Sequence, residues 1–167
     1  MTGGITNVIV DATNIGRSAS WRNRHPQMDD NQRFEMLVHS ASSWATQRGV
    51  KLVLVFDGMG AVRPTRIPGC EVLSSGRQTA DDVVERQASM ALKLGHPYWI
   101  VSGDRAVRLA AGAGAERVLD PDSFITMIAS VIDRDSTRNT AGTGSSRVGD
   151  VVSPEVRSRL ERLRRRH

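Results

Sequence analysis

The sequence predicts an α/β fold in which a mostly parallel sheet is covered by helices. Two observations carry this reading. Short apolar runs rich in β-branched residues alternate with stretches of helical periodicity. The strongest of these runs, Val8-Ile9-Val10 and Leu52-Val53-Leu54-Val55-Phe56, are apolar without a polar alternation, as strands buried on both faces must be.

Taken in order, residues 5–10 read as a buried strand ending at Asp11, and residues 16–30 as a loop that carries Arg17, Trp21, Arg22, Arg24 and His25. A helix is predicted over 31–47, where Phe34, Leu37, Val38, Ala41, Trp44 and Ala45 recur at helical spacing. The run 51–56 is a second buried strand. After it, 58–69 reads as a loop holding Arg63 and Arg66 between proline and glycine. Further strands are expected at 71–73, 98–101 and 117–119, with helices at 80–94, 105–111 and 122–132. Beyond Arg134 the composition changes. Residues 136–149 are rich in Ser, Thr and Gly and read as a flexible linker, and 154–166 as a short basic helix opened by Pro154.

Bulk properties narrow the function classes. A chain of 167 residues suits one compact domain, and its 39% hydrophobic content supplies one core with some polar chain to spare. No run approaches the ~18 apolar residues of a membrane span, and the N-terminus lacks the basic-then-apolar order of a signal peptide. Cys70 is the single cysteine, which excludes an intrachain disulfide and a cysteine metal cluster and fits a reducing, cytoplasmic setting. The net charge of +5 is uneven. Residues 135–167 hold eight arginines against four acids, a balance of +4 that leaves the rest of the chain at +1. A basic appendage on a nearly neutral domain suits contact with nucleic acid, where each neutralised phosphate releases counterions.

The acids carry the chemistry. Asp11 follows Val-Ile-Val, Asp57 follows Leu-Val-Phe, and Asp104 follows Ile-Val-Ser-Gly. All three therefore fall just past the carboxyl ends of predicted strands, the edge at which open α/β sheets bind ligands. Asp81 joins them from the start of a helix. With Thr79 as N-cap, Asp82 takes the acidic half of a capping box and Asp81 is left without that duty; Glu85 lies on the same helix face as Asp81. Carboxylates converging on one edge repel unless a cation sits among them, and Mg²⁺ or Mn²⁺ takes such hard oxygen ligands. Taken singly, each of these aspartates has a plain reading as a helix cap or turn residue. Asn14 adds a carboxamide to the loop of Asp11.

Val10-Asp11-Ala12-Thr13-Asn14, Val55-Phe56-Asp57-Gly58, Thr79-Ala80-Asp81 and Val101-Ser102-Gly103-Asp104-Arg105 together resemble the ordered motifs of PIN-like NYN-domain ribonucleases, YacP-type branch, over about residues 5–130. The resemblance implies a three-layer sandwich with central strand order 3-2-1-4-5 and helices on both faces. It implies metal-dependent, endonucleolytic hydrolysis of RNA with one or two Mg²⁺ or Mn²⁺ ions. Asp11, Asp81 and Asp104 would bind metal, Asp57 would be a further site acid, and Asn14 a positioning amide. With the change of composition beyond Arg134, residues 1–134 are expected to form the nuclease domain and 135–167 a flexible linker and Arg-rich tail. The chain departs from the family pattern in reading Ser-Gly-Asp where Thr-Ser-Asp or Thr-Asn-Asp is usual, and in its tail.

Arg17, Arg22, Arg24 and Arg105, with Arg63 and Arg66, are candidates for gripping phosphates, and Trp21 for stacking a base. Trp44 and Trp99 read as core. His25, His39, His96 and His167 pair with no nucleophile. A haloacid-dehalogenase phosphatase is excluded because Met59 stands where its second aspartate is needed. A dinucleotide fold is excluded because no G-x-G-x-x-G follows a strand, and no P-loop lysine motif is present. The rival readings are a non-catalytic RNA-binding module of the same fold and the toxin of a toxin–antitoxin pair. The tail is expected to tether the domain to structured RNA or a ribosome. Its removal should then weaken RNA binding and flatten the salt dependence of the affinity, while cleavage of a short oligonucleotide persists. An affinity unchanged by truncation, read by filter binding at several salt concentrations, rejects the tether.

Overall fold

The computed structural model describes residues 4–59 and 65–140. The elements run β1 (Asn7–Asp11), α1 (Ala12–Arg17), α2 (Ala19–Arg24), α3 (Asp30–Arg48), β2 (Lys51–Phe56), β3 (Thr65–Ile67), β4 (Cys70–Ser74), α4 (Ala80–Lys93), β5 (Tyr98–Val101), α5 (Arg105–Ala111), β6 (Arg117–Leu119) and α6 (Pro121–Thr140). A single 3₁₀ turn, Gly112–Gly114, separates α5 from β6.

The strands form one sheet in the order β3-β4-β2-β1-β5-β6. Five of them pair in parallel and, numbered among themselves, run 3-2-1-4-5, the order that the resemblance implies. β1 lies at the centre, with Val8 opposite Leu52 on one side and Trp99 on the other. The chain leaves β1 towards one edge and returns to its other side through β5, so the switch point lies at the carboxyl end of β1. Because a strand sends alternate side chains to opposite faces, the central strands feed two cores. Val8, Val10, Leu52, Leu54 and Phe56 pack with Trp21, Phe34, Leu37 and Trp44 of α2 and α3 and with Phe124 and Ile128 of α6. Ile9, Val53, Val55 and Ile100 pack with Val83, Val84 and Ala88 of α4 and Val107 of α5. Helices thus cover both faces.

Three stretches differ from the sequence reading. Residues 16–30, read as a loop, hold the end of α1 and the whole of α2. Asp11 caps α1 by accepting from the Asn14 N–H, and Ser18 caps α2 by accepting from the Trp21 N–H. Helices of six residues are too short to show a periodicity of their own; caps and a buried Trp21 hold them instead. Residues 58–69, also read as a loop, contain β3, which pairs antiparallel with β4. Between them Pro68 and Gly69 make the tight turn, Gly69 taking the positive φ of 75° that a glycine allows. The last helix runs to Thr140, past the expected end at 132 and across the expected domain boundary. The linker and basic helix expected over 141–167 lie outside the described residues, as does Arg63. By compactness the chain divides between Val131 and Ile132. Among the described residues, no helix is long and apolar enough to cross a membrane.

Gly16 shows how tightly α1 is seated on α3. A Cβ there would fall 2.4 Å from two ring carbons of Phe34, and Phe34 is itself buried edge-to-face against Phe56, so the ring has nowhere to retreat. Exchanging glycine for alanine in a helix gains about 1 kcal/mol from propensity, whereas overpacking a filled core costs about 1–3 kcal/mol. Gly16→Ala is therefore expected to destabilise the fold by up to about 2 kcal/mol. Urea unfolding checks this; a stabilised variant would mean that the Phe34 ring moves freely.

Candidate active site

The carboxyl edge of the sheet gathers the four aspartates. Asp11 ends β1, Asp57 follows β2, Asp81 is the second residue of α4, and Asp104 follows β5 and caps α5. Their proximity is visible in their mutual repulsion. Asp11 is raised from its ordinary 3.8 to about 6, first by burial and then by the charges of Asp81 and Asp57. Asp81 is also raised, first by burial and then by the charges of Asp104, Asp57 and Asp82. Asp11, only 5% exposed, is the acid that the fold holds most deeply.

The four aspartates are not equivalent in what holds them. Asp11 Oδ1 accepts a long hydrogen bond from the Asn14 N–H at 3.5 Å, and its Oδ2 accepts from Ser102 Oγ at 3.4 Å. Ser102, fully buried, also accepts from the Asp104 N–H at 3.1 Å. One hydroxyl thereby joins the acid of β1 to the backbone of the acid after β5. Arg108 reaches back from α5 and donates to the Ser102 carbonyl at 3.1 Å. Asp104 uses Oδ1 to accept from the N–H groups of Ala106 and Val107, at 2.6 and 3.3 Å, an ordinary N-cap.

Asp57 Oδ1 accepts from Ser75 Oγ and from the Ala80 N–H, each at 3.1 Å, which ties the end of β2 to the start of α4. The Asp57 N–H donates to Thr13 Oγ1 at 2.8 Å, binding it to the loop of Asp11. The next residue, Gly58, is clamped by the chain after β4. Its N–H donates to Ser75 Oγ, and its carbonyl accepts from Ser74 Oγ and from the Gly76 N–H. Asp82 forms the capping box with Thr79, and those hydrogen bonds lower its pKa, as expected for a residue with a structural task.

Ser102, Thr13, Ser75 and Arg108 escaped the sequence reading as site residues. Ser102 and Thr13 lie within the family-like motifs, but only the fold brings their hydroxyls to the Asp11 carboxylate and the Asp57 N–H. Arg17 ends α1, Arg22 and Arg24 lie on α2, and Arg105 opens α5 beside Asp104; all four are exposed. Trp21 requires a correction. It is fully buried and its indole N–H donates to the Arg33 carbonyl at 3.0 Å, so it has no free face on which to stack a base. The apolar side of α2 needed a large residue to fill the space over α3, and Trp21 does that. Trp44 is core, as expected, with Trp99 and Phe124 against it.

The donors are all hard oxygens in a locally negative setting, which suits Mg²⁺ or Mn²⁺ in kind. Their placement adds a constraint. Among the described residues, no group of three His, Cys, Asp or Glu side chains is arranged so that it could hold a metal ion. A closed cage of Asp11, Asp81 and Asp104 is therefore not formed. The arrangement fits the looser habit of Mg²⁺, which is held by one or two carboxylates and keeps several waters.

The raised Asp11 has a consequence for stability. Its folded pKa of about 6 exceeds the 3.8 of an ordinary aspartate, so between these values the folded state binds the extra proton. Stability then falls as pH rises through the window from about 4 to about 6, by up to about 3 kcal/mol, and stays lower above it. Asp11→Asn should be more stable than the natural chain at pH 7 by about 1–3 kcal/mol when divalent ions are chelated. That gap should close below about pH 4. Denaturant melts at a series of pH values check the sign: equal stabilities at pH 7, or a gap that widens on acidification, would refute the burial of a charged Asp11.

Two solved structures share the fold. A structure of Rae1 (YacP) from Bacillus subtilis is 19% identical, with 95% of this chain and 94% of that chain covered and a TM-score of 0.64. A Trp-to-Leu mutant of the same protein gives 17% identity, coverage of 84% and 87%, and a TM-score of 0.62. No curated protein matches the chain. The sequence matches the YacP-like NYN domain from residue 8 to residue 165, well past Arg134 and into the basic segment. This chain belongs to the YacP-like NYN domain family and carries its PIN-like, nuclease-type fold.

Proposed function

We propose that this chain is a divalent-metal-dependent ribonuclease that cuts RNA internally, with Asp11, Asp81 and Asp104 at its centre. The observation that carries this reading is the convergence of four aspartates at the switch point, close enough to push the pKa values of Asp11 and Asp81 upward. Membership of an NYN family supports it. An acidic edge of this kind repels a phosphate backbone unless a cation intervenes, so bare RNA binding explains it poorly.

Asp11 and Asp81 are the residues that would hold Mg²⁺ or Mn²⁺, with Asp104 completing the acidic rim. When bound, such an ion supplies positive charge against the phosphate oxygens and a more acidic attacking water. The chain's own groups do the rest. Ser102 holds the Asp11 carboxylate and the backbone of Asp104 together, and Arg108 keeps Ser102 in place. Asp57 fixes the start of α4 and so the position of Asp81. Arg17, Arg22, Arg24 and Arg105, exposed on the elements that follow the site acids, offer guanidinium forks to flanking phosphates. The basic segment after Thr140 adds affinity for structured RNA or a ribosome. The single cysteine, buried in the core, suits a cytoplasmic protein.

Incubation with labelled RNA in Mg²⁺ or Mn²⁺ tests the proposal. Internal cleavage is expected from the natural chain, with a loss of about a hundredfold or more in Asp11→Asn and Asp104→Asn. Asparagine also caps helices, so Asp104→Asn should keep α5 intact. Mn²⁺ should raise the melting temperature of the natural chain and not that of Asp11→Asn. Cleavage that survives in excess chelator, or in both variants, refutes the metal site. RNA bound tightly but never cut would favour a non-catalytic binding module.

A further inference from the structure

Gly103 sits between Ser102 and Asp104, on the backbone that joins the two acids Asp11 and Asp104. Its φ is not positive, so the chain conformation does not require glycine there. Space does. A Cβ at position 103 would fall 2.4 Å from Asn14 Oδ1, 3.1 Å from Asn14 Cγ and 3.2 Å from Asn14 Nδ2. All three atoms of the Asn14 carboxamide group therefore lie over the bare Cα of Gly103. Both residues are exposed, so this contact is on the open face of the site rather than in the core.

We propose that Gly103 is a positioning residue, whose missing side chain lets the Asn14 carboxamide lie across the gap between the ends of β1 and β5. Asn14 is anchored at its other end, because its backbone N–H donates to Asp11. The backbone of Asn14 is thus tied to the end of β1, while its amide lies against the turn before Asp104. A carboxamide so placed offers N–H donors to a phosphate oxygen beside the acidic rim, a role that rests on the ribonuclease reading above. The contact itself does not rest on it.

The contact can be broken from either side. In Gly103→Ala the new methyl group and the amide cannot both stay. Asn14 is short and exposed, so it should swing away at little expense to the fold, changing the melting temperature by no more than about 2 °C. Its side-chain NH₂ resonances, assigned by their loss in Asn14→Ala, should move in Gly103→Ala. With RNA and Mn²⁺, Gly103→Ala should lose about tenfold in kcat with KM little changed. Asn14→Ala should lose at least as much, and the double variant no more than Asn14→Ala alone. A purely structural role for Gly103 predicts the opposite, a double variant weaker by the product of the two single losses, and that result would overturn the proposal. Unmoved Asn14 resonances in Gly103→Ala would overturn it as well. If the natural chain cuts no RNA, the ribonuclease reading fails, and the resonances alone decide whether Gly103 positions Asn14.

Discussion

The parallel pairing of β1 between β2 and β5 is the constraint on which the site depends. With Val10 opposite Leu54 on one side and Val101 on the other, the three strands end at nearly the same level. Whatever follows each strand must then share one edge. Asp11 ends its strand there, and Asp57 and Asp104 follow theirs. A parallel ladder also forces each connection to cross a face of the sheet, and these crossings are the helices that bury Val8, Val10, Leu52 and Leu54 on one side and Ile9, Val53, Val55 and Ile100 on the other. The same pairing therefore builds both cores and the acidic edge.

Bringing carboxylates together opposes folding, and the surrounding hydrogen bonds show how the chain limits the penalty. Three of the four aspartates have donors aimed at them: the Asn14 N–H and Ser102 at Asp11, Ser75 and the Ala80 N–H at Asp57, and the N–H groups of Ala106 and Val107 at Asp104. Several of these donors are the first N–H groups of helices, which would otherwise lack partners. The acids thus serve the helices, and the helix starts serve the acids. Asp11 is nevertheless raised to about 6, because its burial outweighs its two long hydrogen bonds, and Asp81 is raised as well. A buried acid that opposes folding at the centre of a sheet supports the proposed site at this edge.

Much of this was legible in the residues. The uninterrupted apolar strands, the helices of fourteen residues or more, and the capping box that separates Asp82 from Asp81 follow from patterns within a few residues of each other. The failures were of two kinds. Helices α1 and α2 and strand β3 are too short to carry a period, and each is held by a cap, a buried ring or a single turn. The sequence leaves Trp21 open, because a tryptophan among arginines looks the same whether its ring faces outward or inward; only the position of α3 beneath it decides.

The sequence by itself determined which residues lie at strand ends, where helices begin, and therefore which acids belong to the carboxyl edge, because backbone periodicity and capping are local. Only the tertiary structure decided how those acids are held. Ser102 reaches Asp11 across 91 positions, Ser75 reaches Asp57 across 18, and Asn14 rests on Gly103. Contacts of that span depend on strand order and register. Those are fixed by burying two apolar faces at once, a global condition that no short stretch of sequence contains.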